Sequence, residues 1–339
     1  MERHEEVIDI LLPVHNVEPC LHETLASISI QTHPHFRLLI SNNASEDQTL
    51  KVIQDWAKRD GRIKYWNQNQ NIGYQANLAY LVEKSQSPLA MLMAGDDILH
   101  PQALEVLIDP FRDPTIYAVT RPYFWFFNDP TNPVRAKRKM DSWPIRVDST
   151  SPNDMIVEVL RTIDQLSGLV FRRDALEDRV TKDVFTAHSA AFLWALANHA
   201  VTWCPEYRVA VRIEHSHSRL SGDYEQSPVQ TWVSALEQYL LPSLTHPRHV
   251  VREFCGHNAL GLLQIRNYAR HGWRKVVREA LLMLRLRPKN AIDPQFIAVF
   301  TLCLVTPRRI LRPLTNWTRN RINRFALPRD ITKDWPLST

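Results

Sequence analysis

Two adjacent acids, Asp96 and Asp97, stand directly after a short apolar run at residues 89–93. Adjacent carboxylates repel each other unless something positive lies close to both. Mg²⁺ and Mn²⁺ favour carboxylate oxygens and share them with substrate phosphates, so the pair indicates a metal–diphosphate site. One acid can then reach the metal while the other reaches a ribose or sugar hydroxyl. The alternative is a solvated turn in which Asp97 caps the helix that begins near Pro101.

Strands and helices alternate in the first 127 residues. Dense apolar runs typical of buried parallel strands lie at residues 7–12, 36–40, 63–66 and 89–93. Amphipathic patterns between them predict helices at residues 18–31, 47–58 and 74–84. This alternation with short connections predicts an α/β fold with a mostly parallel sheet and helices on both faces. Ligands of such sheets bind beyond the carboxyl ends of the strands, where the acid pair falls.

Four polar segments lie at these strand ends, at residues 13–16, 41–47, 71–77 and 94–97. In this order they resemble the family-2 glycosyltransferases of the GT-A fold, which use nucleotide-diphosphate sugars. The segment HETLASISIQTHPHFRLLISNNASEDQT is similar to the family's usual opening. NQNIGYQANLAY matches its N-x-G-x-x-x-N segment, and MLMAGDDILHP matches its acid motif. The resemblance covers residues 7–125 and continues more weakly to residue 222.

The resemblance implies a nucleotide-sugar site at the strand tips and loops, formed by Pro13, His15, Asn16, Asn42, Asn71, Gly73, Asn77 and Asp96. Asp97 would hold Mg²⁺ or Mn²⁺ with the donor diphosphate. Asn42 stands where the family usually has an Asp that bonds the base edge, and an amide both donates and accepts. The identity of the base is therefore open, with uracil favoured. Asn71 and Gly73 also fit a plain turn before a helix, and Asp47 fits a helix cap better than a ligand contact.

The second half is less regular. The sequence predicts a loop at residues 128–152, a helix at 154–165, a strand at 167–172, a helix at 187–200 and one or two strands at 201–213. Residues 228–325 are mostly helical by pattern. We therefore expect a GT-A-like catalytic domain at residues 1–225, with a nucleotide-sugar-binding half (1–127) and an acceptor half (128–225). A helical C-terminal appendage follows at residues 226–339.

The catalytic base is the weakest part of the resemblance. The family usually places an Asp or Glu at the position of Ser189, yet no acid lies between Asp183 and Glu206. His188 is our candidate, because an imidazole titrates near neutrality. Asp183 could reach in from a longer loop, or the base is absent.

A terminal element at residues 212–219 resembles the Arg-x-His-type segment of the family, which implies His215 as a further metal ligand. His217 is an alternative metal ligand. The competing interpretation is a solvated polar loop in which neither histidine binds a metal. A basic cluster lies in the predicted loop at residues 128–152 and could touch the diphosphate or form a solvated surface: Arg135, Lys137, Arg138 and Lys139.

Composition limits the partners. The net charge is +5 and the pI is about 9.0, without a nucleic-acid-binding signature. Four scattered cysteines show no zinc spacing, and the N-terminus does not resemble a signal peptide.

No apolar run reaches spanning length, but FIAVFTLCLVTPRRILRPL could lie in a membrane interface or pack as a core helix. We expect a cytoplasmic protein, peripheral on the inner face of the cell membrane.

The predicted function is metal-dependent, inverting transfer of a sugar from a nucleotide-diphosphate donor to a glycan or lipid-linked hydroxyl. UDP-sugars are the favoured donors, and the resemblance implies cell-surface glycan synthesis. One alternative is a catalytically silent nucleotide-sugar-binding or scaffold protein, which the missing acid near Ser189 favours. The other alternative is a nucleotidyltransferase. Such an enzyme normally has a basic, glycine-rich N-terminal loop, and the segment PVHNVEPC is neither basic nor glycine-rich.

Overall fold

The apolar runs of the sequence become the strands of a central sheet. A computed structural model describes residues 7–137, 146–180, 185–213 and 223–321, together with residues 327, 331, 332 and 335. Its strands are β1 (Ile8–Val14), β2 (Phe36–Asn42), β3 (Ile63–Asn67), β4 (Leu89–Leu92), β5 (Ile98–Leu99), β6 (Ile116–Thr120), β7 (Phe124–Phe126), β8 (Arg135–Ala136), β9 (Arg146–Val147), β10 (Leu169–Arg172), β11 (Ala200–Trp203) and β12 (Val209–Arg212).

Helices separate and cover these strands. They are α1 (Glu18–Ser29), α2 (Thr49–Ala57), α3 (Tyr74–Lys84), α4 (Ala103–Ile108), α5 (Asn153–Leu160), α6 (Arg173–Leu176), α7 (Ser189–Asn198), α8 (Pro228–Tyr239), α9 (Pro247–Phe254), α10 (Gly261–Tyr268), α11 (Gly272–Leu286), α12 (Pro294–Val305) and α13 (Arg308–Arg321). The predicted elements of the first half all form, within a few residues of their expected ends. The predicted loop at residues 128–152 contains the two short strands β8 and β9.

The main sheet has the order β3-β2-β1-β4-β10-β6-β11-β9. The first four strands are parallel, as the alternating pattern predicts, and so are β6 and β11. β10 runs antiparallel to both of its neighbours, which makes the sheet mixed. Apolar patterning marks β10 as buried but does not report strand direction, so the sequence did not reveal this insertion.

A second, small sheet has the order β5-β12-β7-β8 and lies beyond the carboxyl end of β4. In it, Val209 and Ala210 of β12 pair with Leu99 and Ile98, just after the acid pair. The segment that carries Asp96 and Asp97 is therefore held between the two sheets.

The C-terminal helices share a hydrophobic core with the helices of the acceptor half. Leu193 of α7, Leu236 of α8 and Leu262 of α10 are fully buried in the same cluster, which also includes Leu311 of α13. Through this shared core, the helices α8, α10 and α13 pack together with α7. Within the described part of the chain, no helix is both long enough and apolar enough to cross a bilayer.

Candidate active site

Asp97 is buried at the end of β4, and both of its carboxylate oxygens accept hydrogen bonds from the protein. Oδ2 accepts from Ser167 Oγ at 2.5 Å, and Oδ1 accepts from the backbone N–H of Arg212 at 2.9 Å. The residue is only 2% exposed. Asp97 thus connects β4 with the segment before β10 and with the end of β12.

Asp96 is more open than Asp97. It is partly exposed, and no hydrogen bond to its carboxylate from another described residue is present. Its backbone carbonyl accepts from Arg212 Nε at 3.0 Å, which fixes the turn without occupying the side chain. Asp96 is therefore the acid of the pair that can bind a ligand directly.

The electrostatics of the acid pair favour a cation. Burial raises the pKa of Asp97 to about 6. Burial, and then the charge of Asp97, raise the pKa of Asp96 well above its ordinary value, and Arg212 offsets only part of this. A divalent cation would reverse both effects, because it stabilises the ionised forms.

The residues present fit a metal ion that is shared with a bound diphosphate. Mg²⁺ is commonly bound by one or two protein carboxylates plus substrate phosphates. Asp96 meets this requirement, and among the described residues no set of three or more His, Cys, Asp or Glu side chains comes together. His215 and His217 lie outside the described residues.

Arg212 was singled out only as part of a terminal motif, but it organises the acid turn. Its guanidinium is buried, pairs with the carboxylate of Glu23 and donates to Phe127 O at 3.2 Å. With its backbone N–H on Asp97 and its Nε on the Asp96 carbonyl, one arginine contacts both acids and the neighbouring strand end.

The loops after β1 and β3 meet beside this turn. Asn71 Nδ2 donates to His15 Nε2 at 3.1 Å. Asn16 has a φ of 50°, in the left-handed region that Asn tolerates, and its Oδ1 accepts from the Glu46 backbone at 2.8 Å. The structure brings together five accessible predicted residues at this edge of the sheet: Pro13, His15, Asn16, Asn71 and Gly73.

Asn43 holds these loops together, and the sequence analysis missed it. Its backbone N–H donates to Val14 O at 2.8 Å. Its Nδ2 donates to Asn71 Oδ1 at 2.9 Å, and its Oδ1 accepts from the Ile72 backbone at 2.9 Å. The Asn-Asn dipeptide was the available signal, but only its first residue, Asn42, was singled out.

Asn42 and Asn77 differ from the roles expected for them, because both are 1% exposed. Asn42 donates to Asn67 Oδ1 at 2.6 Å and accepts from Ser45 Oγ at 2.5 Å. Asn77 exchanges hydrogen bonds with Ser41, at 2.6 Å to the hydroxyl and 3.0 Å to the carbonyl. Both side chains therefore form hydrogen bonds within the protein and are closed to solvent.

His188 is also buried, which weakens its prediction as a base. Its Nε2 lies 3.1 Å from Ile163 O, and since a carbonyl only accepts, Nε2 carries the proton. Nδ1 has no hydrogen-bond partner among the described residues and is closed to solvent. Burial lowers the pKa of His188 to about 4, so the ring is neutral and weakly basic.

A carboxylate that the sequence analysis overlooked, Asp164, lies close enough to His188 to influence its titration. Its side chain is 46% exposed. It accepts from Tyr123 Oη at 2.7 Å and pairs with Lys137 Nζ at 2.8 Å. The sequence analysis placed Asp164 near the end of the helix predicted at residues 154–165, but α5 ends at Leu160 and Asp164 lies in the segment that follows it.

Buried Arg121 fixes the segment that carries Asp164. Arg121 donates to the backbone carbonyls of Thr162, Gln165 and Ser167, at 3.3, 2.9 and 2.6 Å. The same segment reaches the end of β4, because the Gly168 N–H donates to Leu92 O at 2.8 Å. Asp164 is thus held at the edge of the sheet that bears the acid pair.

Of the basic cluster, Lys137 contacts Asp164, and Arg135 stacks 3.7 Å over the ring of Trp125. Arg138 and Lys139 lie outside the described residues, as does Asp183. Asp47 lies one residue before Gln48, the N-cap of α2, and its Oδ1 accepts from the Thr49 backbone at 3.0 Å.

Solved structures share this architecture. TarS of S. aureus, in complex with UDP, superposes with a TM-score of 0.59 at 14% identity, over 91% of each chain. The mannosyltransferase PcManGT of Pyrobaculum calidifontis, in complex with GDP-Man and Mn²⁺, gives a TM-score of 0.54 at 15% identity, over 91% of this chain and 84% of its own. At such identities the likeness shows the fold alone, and that fold is of the GT-A type, with a mixed central sheet and helices around it.

Sequence comparisons place the chain within that class. The profile of glycosyl transferase family 2 matches residues 9–179, just over half of the chain, and the chain belongs to this family. The uncharacterized glycosyltransferase YkcC of Bacillus subtilis is 26% identical over 124 residues, which cover 35% of this chain and 38% of YkcC. Hyaluronan synthase of Streptococcus pyogenes is 25% identical over 123 residues, 34% of this chain and 29% of the synthase. The chain therefore spans well under half the length of these relatives.

Proposed function

We propose that the protein transfers a sugar from a nucleotide-diphosphate donor to a hydroxyl acceptor, with inversion at the anomeric carbon. The observation that carries this proposal is the open carboxylate of Asp96 at the end of β4, beside the accessible loops of His15 and Asn71. In parallel α/β sheets, this edge is where ligands bind.

Within the site, Asp96 is our proposed metal ligand and Asp97 its positioning residue. This reverses the emphasis of the sequence prediction, because the oxygens of Asp97 already accept hydrogen bonds from Ser167 and Arg212. A Mg²⁺ or Mn²⁺ ion held at Asp96 would offset the charge that develops on the leaving diphosphate. His215 stays a proposal as a further ligand.

The nucleotide would lie over the tips of β1 and β2. Pro13, His15 and Asn16 line this edge, and Asn71 and Gly73 lie opposite them. Gly73 has a φ of 83°, and a Cβ there would meet only Gln75 Oε1 at 3.5 Å, so its backbone is open to a ligand. UDP is the favoured carrier, and TarS, of similar fold, binds UDP.

For the base, we propose Asp164, with His188 as a positioning residue. Asp164 is accessible, and its segment is fixed by Arg121 and Ser167. His188 donates to the carbonyl of Ile163, the residue directly before Asp164. The carboxylate would accept the proton of the acceptor hydroxyl as its oxygen attacks the sugar from the face opposite the diphosphate.

The proposed setting is cell-surface glycan synthesis on the cytoplasmic face of the cell membrane, with a glycan or lipid-linked acceptor. Hyaluronan synthase matches this chain over 123 residues, and this shared region supports a common donor-binding domain. We propose residues 1–225 as the catalytic domain and residues 226–339 as a helical support.

A catalytically silent nucleotide-sugar-binding protein is the second candidate, because Ser189 replaces the usual acid and its buried Oγ has no hydrogen-bond partner among the described residues. Donor binding and turnover must therefore be measured separately.

Isothermal titration calorimetry of UDP, GDP and dTDP with Mn²⁺ tests the donor site. We expect UDP to bind the wild type, and Asp96→Asn to weaken this binding at least tenfold, which corresponds to about 1.4 kcal/mol. Asp55→Asn, a half-exposed acid of α2, is the matched control and should bind like wild type. If no nucleotide binds, or Asp96→Asn binds as tightly as wild type, the proposed donor site is wrong.

A further inference from the structure

We propose that the exposed face of α12 and the start of α13 form a docking surface for an anionic lipid bilayer. This α12–α13 surface comprises three apolar and three basic side chains: Ile297, Leu304, Val305, Arg308, Arg309 and Arg312. It is separate from the donor site and does not depend on the proposed catalytic roles.

The first observation is that α12 is largely apolar, with only Gln295 and Thr301 polar, although half of it faces solvent. Its twelve residues, PQFIAVFTLCLV, contain no charge. Phe296, Val299 and Cys303 point into the core. On the other side, Ile297, Leu304 and Val305 are 46%, 42% and 71% exposed. A helix with apolar residues all round is normally covered by protein or lipid, so its exposed side needs a partner.

The second observation is the charge that borders this apolar face. Between Pro294 and Arg329 the sequence has seven arginines and no acidic residue or lysine. Three of these arginines, Arg308, Arg309 and Arg312, are exposed around an open hollow of about 660 Å³. Ile310, between them, is 60% exposed. The exposed basic residues thus follow directly after the exposed apolar end of α12, with an exposed apolar residue among them.

The surface is held in a fixed orientation. Arg266 of α10 donates to the carbonyls of Cys303 and Thr306 at 2.8 and 3.2 Å, at the end of α12. Asn267 Nδ2 donates to Thr315 Oγ1 at 3.0 Å, which ties α13 to the same helix. Buried Leu311 anchors α13 from below. Because these contacts fix α12 and α13, the exposed apolar side chains of the α12–α13 surface face solvent as part of the packed fold.

Charge and hydrophobicity together select the partner. An interfacial helix inserts its apolar side chains among acyl chains while its arginines bind lipid phosphates. A nucleic acid would satisfy the arginines but leave the apolar face exposed to water. A second copy of the chain would bring two all-positive segments together and repel. An anionic membrane satisfies both features.

Flotation of the full chain with vesicles tests the proposal. We expect flotation with vesicles of equal parts phosphatidylcholine and phosphatidylglycerol, and none with phosphatidylcholine alone. The triple variant Arg308→Gln/Arg309→Gln/Arg312→Gln should bind on the order of 100-fold more weakly, since each basic residue near an anionic surface contributes several-fold. Raised salt should weaken wild-type binding.

A second variant, Val305→Ser/Ile310→Ser, tests the apolar part. Both residues are more than half exposed, so the fold should be kept while flotation falls. The control Lys58→Gln/Arg59→Gln/Lys64→Gln removes the same charge from exposed positions of the nucleotide-binding half and should float like wild type.

Three results would overturn the proposal. They are no flotation with the mixed vesicles, equal loss in the triple variant and its control, or a dimer by light scattering that Val305→Ser/Ile310→Ser dissociates. Calorimetry of UDP without vesicles reports on the donor site alone, so failure at the membrane is distinct from failure of the proposed function.

Discussion

Ser167 Oγ donates to Asp97 Oδ2 at 2.5 Å, which joins the acceptor side of the site to the acid turn. The same Oγ accepts from the Ala94 backbone at 2.9 Å. Asp164 lies three residues before Ser167, and Asp96 lies directly before Asp97. One serine therefore couples the position of the proposed base to that of the proposed metal ligand.

Replacing this serine should cost stability. Ser167→Ala leaves a buried oxygen of Asp97 without its donor, and such a group costs about 1–3 kcal/mol. We expect a lower unfolding temperature and a lower kcat. Ser29→Ala, which removes a hydroxyl that bonds only its own helix, should change the free energy of unfolding by less than about 0.5 kcal/mol. Equal melting of the two variants would contradict the role of Ser167.

The two acids should respond differently to neutralisation. Asp96→Asn removes a partly buried charge with a raised pKa, so the metal-free protein should be at least as stable as wild type but lose Mn²⁺-dependent UDP binding. Asp97→Asn turns one acceptor into a donor beside Ser167 and Arg212 and should lower stability by about 1–3 kcal/mol. Thermal melts and calorimetry check both. If instead Asp97→Asn lost Mn²⁺-dependent UDP binding and kept full stability, Asp97 would be the metal ligand, as the sequence analysis predicted.

Stability without metal should fall as pH rises through the pKa of Asp97. The folded-state pKa of about 6 lies above the ordinary 3.8, so the protonated acid favours folding. This contribution is complete below pH 3.8 and is lost as pH rises through about 6. Denaturant unfolding of wild type and Asp97→Asn measures it, and parallel pH curves would contradict it.

Mn²⁺ should reverse this trend, since it binds the ionised acids. We expect the metal to raise the unfolding temperature of wild type more above pH 6 than below it. Mg²⁺ and Ca²⁺ serve as comparisons, and an equal shift on both sides of this pH would argue against binding at the acid pair.

The sequence predicted the parallel half of the sheet because its apolar runs and helical periodicities are strong and local. β1 to β4 all lie where the pattern places them. The antiparallel insertion of β10 could not be predicted, since Leu169–Arg172 is buried on both faces and such runs look alike in either direction.

The site was predicted to the level of segments but not of side chains. Asn42 and Asn43 are adjacent, have the same side chain and are both buried. Only Asn43 bonds Asn71 across the loops, and the sequence does not show which of the two does so. Asp96 and Asp97 are likewise neighbours, but only Asp97 is buried, with its oxygens bonded by Ser167 and Arg212, 70 and 115 positions away. Such long-range contacts are set by tertiary packing, which spacing along the chain does not report.

Gly168 has a steric role that a substitution can expose. Its φ is 80°, and a Cβ there would lie 2.6 Å from Val209 Cγ2 and 3.0 Å from Arg121 Nε. Gly168→Ala should destabilise by more than about 1 kcal/mol, because backbone strain adds to overpacking. Gly61→Ala, with open space around it, should be neutral or mildly stabilising. Chemical denaturation compares the two, and similar midpoints would contradict the steric argument.

The base separates an active transferase from a silent binder. If Asp164 takes the acceptor proton, Asp164→Asn should lower kcat by about 10²–10⁴-fold while UDP binding is unchanged. His188→Gln keeps a side-chain N–H for the Ile163 carbonyl and should retain most activity, whereas His188→Ala should lose more through misplacement of Asp164.

The activity of His188→Gln discriminates further. A carboxylate base and a base at His188, whose pKa is lowered to about 4, would both lose activity only in acid, but a base at His188 would leave His188→Gln inactive at every pH. Full turnover by Asp164→Asn would exclude the proposed base. A wild type that binds UDP but transfers no sugar to any glycan or lipid-linked acceptor would favour the silent protein, since Ser189 cannot accept a proton unaided.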